Sequence, residues 1–129
     1  MAQVKIYGLR RRLTDRRQVL SSAIHAAVTE ALDYPPEKRF HRFIGLDDAD
    51  FVYPDDRGED YTIIEISLFE GRTAEARKDL IRRLFHHLEH AAGISPRDVE
   101  ITLFQTPRQD WGIRGQTGDE LSLGYRVDV

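Results

Sequence analysis

Residues 61–104 read YTIIEISLFEGRTAEARKDLIRRLFHHLEHAAGISPRDVEITLF, and this stretch decides the fold. It begins with an alternation of apolar and polar residues, rich in β-branched side chains, that is typical of a strand. A helical pattern follows from Thr73, a residue suited to cap a helix, to Gly93, a residue suited to end one. A second strand-like run starts at Val99. The stretch therefore predicts a strand, a helix and a strand in that order.

The same pattern occurs sixty residues earlier in the chain. At this offset apolar positions coincide, and an arginine and a proline recur in register: Val4, Ile6, Leu20, Ile24, Val28, Pro36 and Arg12 fall on Ile64, Ile66, Leu80, Leu84, Leu88, Pro96 and Arg72. A repeat of this length is typical of two copies of one supersecondary unit. We therefore interpret the chain as a tandem duplication.

Two tandem strand–helix–strand units predict an α+β fold. Within each unit the strands run parallel and are joined by a right-handed crossover, so both helices lie on one face of a four-stranded sheet. We assign the copies to residues 3–46 and 61–106 of a single domain, followed by a C-terminal segment at 107–129.

The limits of the first helix follow from local signals. Thr14 and Asp15 resemble a helix N-cap, so we expect the helix to start there. It is expected to end before Pro35, because proline disfavours a helical conformation in the residue ahead of it.

The segment that joins the copies, residues 47–60, is acidic. It reads DDADFVYPDDRGED and carries seven carboxylates in fourteen residues. The ligand spacing, central glycine and final glutamate of a calcium-binding EF-hand loop do not fit it. We therefore predict a solvated linker and no metal site.

Composition narrows the class of protein. Without cysteine, disulfides, thiolate catalysis and cysteine-type zinc sites are excluded. No apolar run is long enough to span a membrane, and the start of the chain has no apolar signal region, so a cytoplasmic protein is expected. The net charge of −3, with no broad basic surface rich in aromatic residues, argues against nucleic-acid binding. We expect no cofactor.

Residues 85–90, FHHLEH, contain the spacing of a zinc-peptidase helix at His86, Glu89 and His90. On a helical wheel, however, both histidines lie opposite the apolar face that contains Leu84 and Leu88. A zinc peptidase needs its histidines to face a cleft with a third ligand. We therefore predict that these histidines are exposed and form no catalytic metal site.

The run from Gly71 to Leu103 and the tail DWGIRGQTGD resemble the tautomerase superfamily, in particular its malonate semialdehyde decarboxylase-like branch. The "GISP" turn followed by "DV", and Asp110-Trp111 followed by an Arg-Gly pair, carry this resemblance. It covers most of the chain. It implies a compact homotrimer and an activity on small keto or semialdehyde acids.

Chemistry in this family rests on an amino-terminal proline, whose amine acts as a base when neutral and as an acid or electrostatic anchor when charged. The resemblance places this proline on Gln3, whose amide neither accepts nor donates a proton near neutral pH. Removal of Met1 would expose the amine of Ala2, one residue out of register. We therefore expect proline-dependent chemistry to be lost. Lys38, at the position of the branch's loop carboxylate, and His41 are the remaining candidates for moving a proton.

The resemblance also implies residues that bind a small carboxylate. Arg72 matches one of a pair of substrate-binding arginines, and its planar guanidinium suits a carboxylate; the alternative is an ion pair at the start of the helix. Trp111 would form an aromatic wall, with Arg114 as a second anion contact near a neighbouring subunit, although Trp111 could equally fill a core or an interface. Gln3 is the remaining binding candidate.

A homotrimer is consistent with the strand pattern. Helices cover only one side of the sheet, so the other side is left to pack against something else. It would carry a mixed set of residues: Lys5, Tyr7, Ile63, Glu65, Ser67, Glu100, Thr102 and Phe104. Two functions stay open on the sequence alone, namely an enzyme acting on small keto or semialdehyde acids and an inactive trimer that binds an anion or serves as a scaffold.

Overall fold

The computed structural model describes residues 1–122 and 126–127. Its main sheet contains β1 (Ala2–Leu9), β2 (His41–Leu46), β3 (Thr62–Phe69) and β4 (Val99–Thr106). The helices are α1 (Arg10–Leu13), α2 (Arg17–Leu32) and α3 (Ala74–Ala92), and a small hairpin follows with β5 (Gly112–Ile113) and β6 (Gln116–Thr117).

The sheet has the strand order β2-β1-β3-β4. Strands β1 and β2 are parallel, as are β3 and β4, while β1 and β3 are antiparallel at the centre. Each parallel pair is joined by one long helix, α2 in the first copy and α3 in the second. The predicted fold class, two strand–helix–strand units that share one sheet, is confirmed.

The core lies between the sheet and the two long helices. Both central strands bury alternate residues in the same pattern along their eight residues. The helix residues that coincide at the sixty-residue offset are all buried here: Leu20, Ile24 and Val28 of α2, and Leu80, Leu84 and Leu88 of α3. Packing these two stripes on one side of the sheet removes most large apolar side chains from water, which is the main stabilising contribution to the fold.

The start of the first long helix was predicted wrongly. Thr14 ends the short helix α1, where its hydroxyl donates a hydrogen bond to the carbonyl of Arg10 at 2.8 Å. Helix α2 starts only at Arg17, and its N-cap residue, Arg16, makes no side-chain capping bond. The same hydroxyl chemistry that caps an N-terminus can thus also close a helix, and the sequence does not distinguish the two.

The other predicted helix ends are confirmed. Thr73 accepts a hydrogen bond from the backbone of Ala76, and Gly93 ends α3 in the left-handed conformation. Helix α2 stops at Leu32, ahead of Pro35, with Asp33 in the left-handed conformation.

The acidic linker packs beside the arginine-rich start of the first copy. Five ion pairs join the two segments: Arg10–Asp47, Arg11–Asp48, Arg11–Glu59, Arg12–Asp60 and Arg16–Asp60. The linker carboxylates therefore balance the densest basic run of the chain. Most of these side chains are exposed, so each pair contributes little to stability.

The face of the sheet opposite the helices, here termed the open face, has the predicted mixed character. Lys5 lies directly across from Glu65 in the antiparallel register, and the hydroxyl of Tyr7 donates a hydrogen bond to Glu65 at 3.0 Å. Phe104 is 47% exposed on the same face. Among the described residues, no helix combines the length and hydrophobicity that crossing a membrane requires.

Candidate functional site

The start of β1 is held firmly in the molecule. The carbonyl of Met1 accepts a hydrogen bond from the backbone of Phe69 at 3.3 Å, which extends the pairing of β1 with β3. The backbone N–H of Ala2 donates to the hydroxyl of Tyr34 at 3.1 Å. Tyr34 is only 3% exposed and belongs to the core. These contacts fix the direction of the first residue, and so the region that its amine can reach.

The amine of Met1 lies in a half-buried and positively charged recess. Its pKa falls from 8.0 to about 5, first because burial disfavours the charged form, and then because Arg72, Lys38 and Arg108 repel it. At neutral pH this amine is therefore mostly uncharged. A neutral base surrounded by cations is an arrangement that can hold an anion and move a proton.

Arg72 is positioned by the turn between β3 and α3. Gly71 adopts φ +127°, a conformation that favours glycine, and a Cβ there would lie 3.1 Å from the carbonyl oxygen of Val127. Arg72 itself is 6% exposed, and its Nη1 donates to the carbonyl of Leu32 at the end of α2 at 2.6 Å. The residue that was predicted to bind a carboxylate is thus buried beside the amine and anchored to a helix end.

Arg108 is the third cation of the recess. Its guanidinium donates to the carbonyls of Gly118, at 2.8 and 3.1 Å, and Leu121, at 3.1 Å, and lies 5.4 Å from the ring centroid of Phe69. In the part of the chain that the structure describes, no salt bridge joins Arg108 or Lys38 to a carboxylate.

Trp111 packs against the same aromatic side chain. Its ring meets Phe69 edge-on at a centroid distance of 5.2 Å, and its indole N–H donates to the carbonyl of Thr106 at 3.3 Å. Trp111 therefore fixes the loop after β4, which also carries Arg108. Of the two interpretations of Trp111, this geometry favours packing within the subunit.

His41 lies elsewhere. It is the first residue of β2, and its Nδ1 is 2.8 Å from the hydroxyl of Ser21 on α2. The pKa of His41 is lowered to about 4, mainly by burial and in smaller part by the nearby His25 and Arg39. His41 is therefore neutral at pH 7 and bonded to a helix residue, while the charge of Lys38, the other candidate proton carrier, contributes to the lowered pKa of the amine.

Gln3 and Arg114 do not meet the amine either. Gln3 is paired with Ser67 on the open face and lines a shallow groove with Arg39, Phe40, His41 and Arg42. Arg114 forms the tip of the β5–β6 hairpin at φ +50° and is exposed. Strand β1 begins at Ala2, whose offset partner Thr62 begins β3, so the structure places Met1 and Ala2, rather than Gln3, at the head of the strand.

Three components of the recess were missed in the sequence: the Met1 amine, Tyr34 and Arg108. An amine carries no side-chain signal, and Tyr34 resembles any aromatic residue at a helix end. Arg108 sits beside the quoted tail motif, two residues before Asp110, and its proximity to Trp111 was the one available signal.

The histidine-rich stretch of α3 lies on the surface, as predicted. His86 and His90 are exposed, with ring centroids 4.1 Å apart. His87 instead bonds Glu30 of α2 at 2.9 Å. Within residues 1–122 and 126–127, no three His, Cys, Asp or Glu side chains are grouped closely enough to hold a metal ion.

A family model described as tautomerase enzyme matches residues 38–114, more than half of the chain. The chain belongs to the tautomerase family. The superfamily predicted from the sequence is therefore confirmed. The matched residues include Lys38, Arg72, Arg108 and Trp111, so most side chains of the recess and its supporting loop fall inside the tautomerase match.

Individual tautomerases match this chain over segments of different length. The probable tautomerase YusQ of Bacillus subtilis (strain 168) is 26% identical over 99 residues, which cover 73% of this chain and 78% of that protein. A 2-hydroxymuconate tautomerase of Comamonas testosteroni is 32% identical over 57 residues, which cover 44% of this chain and 90% of that protein.

Solved structures share the fold. Malonate semialdehyde decarboxylase superposes with a TM-score of 0.80 at 22% identity, covering 88% of this chain and 92% of that chain. Native fused 4-OT superposes with a TM-score of 0.83 at 19% identity, covering 92% of this chain and 98% of that chain. At these identities the likeness concerns the fold alone.

Proposed function

We propose that this chain is an enzyme that interconverts the keto and enol forms of small carboxylic acids, with its amino-terminal amine as the proton-transferring base. The observation that carries this proposal is the Met1 amine, whose pKa is lowered to about 5 in a recess lined by Arg72, Lys38 and Arg108. The proposal requires that the mature protein start at the head of β1.

The chemistry of the recess favours a base over an acid. A neutral amine can accept a proton from the enol oxygen, or from a carbon next to a carbonyl, and return it to another position of the same molecule. The reaction is an isomerisation, so it needs no other reactant. An amine with an ordinary pKa of about 7.7–8.0 would be mostly protonated at neutral pH and would fail in this role.

The cations supply the substrate's anchor. Arginine binds a carboxylate through two parallel N–H donors, and the positive charge also stabilises the negative oxygen that develops in an enolate. Arg72 is the buried member of this set, and Lys38 is half-buried. The primary amine takes the place of the prolyl amine on which the family's chemistry rests, and His41 has no part in this mechanism.

The relatives support the reaction class. One is a 2-hydroxymuconate tautomerase and another a probable tautomerase, and the family model itself describes tautomerase enzymes. An inactive scaffold would not require a neutral amine among three cations. The recess therefore favours the enzyme over the scaffold.

We also propose that the chain forms a homotrimer through its open face. Fused 4-OT, which shares the fold, forms trimers. The open face carries half-exposed Ile63 and exposed Phe104, together with the facing charges of Lys5 and Glu65. In such a ring Arg114, at the exposed hairpin tip, would extend toward a neighbouring subunit. Sedimentation at micromolar concentration tests this proposal, and a monomer would contradict it.

The test of the reaction is a ketonisation assay with 2-hydroxymuconate and phenylenolpyruvate. We expect turnover above buffer for the wild type, a large loss when three residues are added before Met1, and a similar loss for Arg72→Ala. Arg12→Ala is the matched control, because Arg12 is the offset partner of Arg72 at the other end of the molecule. Absence of turnover with both substrates, or full activity of the extended chain, would contradict the proposal.

A further inference from the structure

We propose that the acidic linker of one copy docks into a groove on a second copy, where Val52 contacts Phe40 and two linker carboxylates pair with two arginines. The groove, here termed the basic groove, lies beside the start of β2 and is lined by Gln3, Arg39, Phe40, His41 and Arg42. The contact rests on the proposed homotrimer, because both of its sides belong to copies of this chain. It adds to that proposal the residues that one subunit inserts into its neighbour.

Val52, inside the linker, is an apolar side chain that projects into solvent. It is 91% exposed. The rings on either side of it, Phe51 and Tyr53, lie 5.4 and 5.0 Å from the ring of Tyr61, which is 6% exposed. Single exposed apolar residues are common on protein surfaces, but this one is fixed in place by packed aromatic neighbours on both sides. A fixed apolar projection suits insertion into another surface, because little conformational freedom is lost on binding.

The basic groove offers an apolar surface between two cations. The side chain of Phe40 is 42% exposed, and its carbonyl accepts a hydrogen bond from the N–H of Val4 at 2.9 Å, which holds Phe40 beside β1. Arg39 and Arg42 are both exposed, and Arg39 donates to the hydroxyl of Ser21 at 3.5 Å. An apolar centre with a charged, solvent-accessible rim is the usual composition of a contact between proteins.

The charges of the linker and of the basic groove are complementary. Asp50 and Asp55 lie on either side of Val52 in the sequence, and within residues 1–122 and 126–127 neither forms a salt bridge. In the same part of the chain Arg39 and Arg42 form none either. The other five carboxylates of the linker are paired with arginines of their own chain. Two acids beside Val52 thus match two arginines of the groove, and complementary charge of this kind steers association and fixes its register.

The linker lies too far from the groove of its own chain to fill it. The neighbours of Val52 pack on Tyr61, which precedes β3, and β3 begins at the carboxyl end of β1 because the two strands are antiparallel. Phe40 precedes β2, which runs parallel to β1, so the groove lies at the opposite end of the sheet. The 6 residues of β2 span about 17 Å between these ends, at roughly 3.3 Å per residue. A contact between unlike surfaces joins copies head to tail, and such contacts can close into a ring.

The experiment is disulfide crosslinking, for which the chain is suited because it contains no cysteine. The full-length double variant Val52→Cys/Phe40→Cys is oxidised mildly and analysed by non-reducing electrophoresis and peptide mapping. We expect covalent dimers and trimers with a disulfide between positions 52 and 40, since a disulfide requires Cα atoms within about 7 Å of each other. The matched control is Val19→Cys/Phe40→Cys, because Val19 is 38% exposed but lies on α2, on the side of the sheet opposite the open face. Its yield of covalent multimers should be at least tenfold lower, and circular dichroism checks that both variants fold.

A second measurement tests the charges. Asp50→Lys/Asp55→Lys in the linker and Arg39→Glu/Arg42→Glu in the groove should each weaken association at least tenfold in sedimentation, because each places like charges in contact. Combining all four substitutions restores opposite charges and should recover most of the association. Failure of the combined chain to recover, when both parent variants are weakened, would contradict the pairing.

The outcomes separate this contact from the homotrimer itself. If the wild type is a trimer but the double cysteine variant forms no more covalent multimers than the control, the contact is overturned and the homotrimer stands. A disulfide within one chain would overturn the contact as well. A monomeric wild type would contradict both the contact and the homotrimer, whereas ketonisation by a trimer without crosslinks would leave the proposed keto–enol activity intact.

Discussion

The two copies of the repeat differ most where their first strands begin. At the head of β1 the half-buried amine of Met1 lies near Arg72, and the N–H of Ala2 is bonded to Tyr34. At the head of β3 the chain is continuous, and the matching recess is lined by Arg12, Ile94 and Asp60. Ile94 is the sixty-residue partner of Tyr34, and Arg12 is the partner of Arg72.

A partly buried carboxylate, Asp60, belongs to the second recess. Asp60 accepts hydrogen bonds from Arg12 at 2.9 Å and Arg16 at 2.7 Å, so the second recess carries its own anion. Arg16 also donates to the carbonyl of Ala92 at the end of α3, as Arg72 does to the carbonyl of Leu32 at the end of α2. The duplication thus produced two similar recesses, each containing arginine and each next to the end of a long helix. At one end Asp60 accepts hydrogen bonds from two arginines, and at the other Arg72 lies near the amine of Met1.

The largest difference between the two recesses is expected when one arginine is removed from each. We expect Arg72→Ala to lower kcat/KM for ketonisation about 100-fold, or roughly 2.7 kcal/mol of transition-state stabilisation, because it removes the buried carboxylate anchor. Arg12→Ala should change kcat/KM by less than about twofold, because its carboxylate partner is internal.

Steady-state kinetics of both variants provides the check, with thermal unfolding to exclude loss of fold. Equal losses in the two variants would mean that the arginines act through the fold rather than through the substrate. In that case the two ends would not differ in function.

The second strands also differ, because the residue of the second copy that corresponds to His41 at the sixty-residue offset is Ile101. The folded-state pKa of His41 is about 4, against an ordinary 6.5, so between these values the unfolded chain binds more protons. Stability should therefore fall as the pH drops from about 6.5 to 4, by about 2 kcal/mol, and level off below. In His41→Ile this part of the pH dependence should vanish.

Urea unfolding at several pH values measures this effect. The Met1 amine, whose pKa is also lowered in the folded state, likewise destabilises the fold at lower pH. It does so equally in the wild type and the variant. The difference between their pH profiles therefore reports His41 alone. Parallel pH profiles for the two proteins would rule out a buried neutral histidine.

Tyr34 tests the support of the amine. In Tyr34→Phe the ring stays in the core, but the Ala2 N–H loses its acceptor. We expect kcat to fall about tenfold with KM nearly unchanged, since the carboxylate anchors are not touched, and a loss of stability of about 1 kcal/mol. Tyr53→Phe, in the linker, is the matched control. A loss of stability with an unchanged kcat would assign Tyr34 a purely structural role.

A substitution of Asp60 tests whether its carboxylate neutralises the arginines of the second recess. Asp60→Ala leaves Arg12 and Arg16 without their shared carboxylate, and because Asp60 and Arg16 side chains are each only 23% exposed we expect a loss of about 1 kcal/mol. Added sulfate should restore part of this stability by binding between Arg12 and Arg16, where the carboxylate of Asp60 is missing in the variant. Thermal unfolding with and without sulfate measures it, and an identical sulfate response in the wild type would contradict an anion-filled recess.

The fold could be predicted from the sequence because the buried apolar positions recur at the sixty-residue offset. Apolar pairs at the sixty-residue offset are buried; Ile6 with Ile66 and Leu20 with Leu80, for example, are at most 1% exposed. Hydrophobic periodicity reports this kind of packing directly. Thr14 shows the limit, because a hydroxyl can serve either end of a helix and only the tertiary structure selects one.

The site was harder to predict because it depends on charges and backbone groups brought together from distant segments. Arg72 was found from its resemblance and Lys38 from its position in a loop, but the amine that they face has no side-chain signature. Strand β1 begins at Ala2, and because adjacent residues of a strand point to opposite sides, Gln3 lies on the open face. Arg108 lies outside both helices, and only the chain path after β4 brings it to the amine.

The pKa of the amino-terminal amine tests the account most directly. Brief acylation over a range of pH, quantified by mass spectrometry at the first residue, gives this pKa without requiring any catalytic activity. We predict a midpoint near pH 5, with the amine already fully reactive at pH 7. A midpoint near 8, the value of an exposed terminus, would contradict the neutral amine on which the proposed keto–enol activity depends.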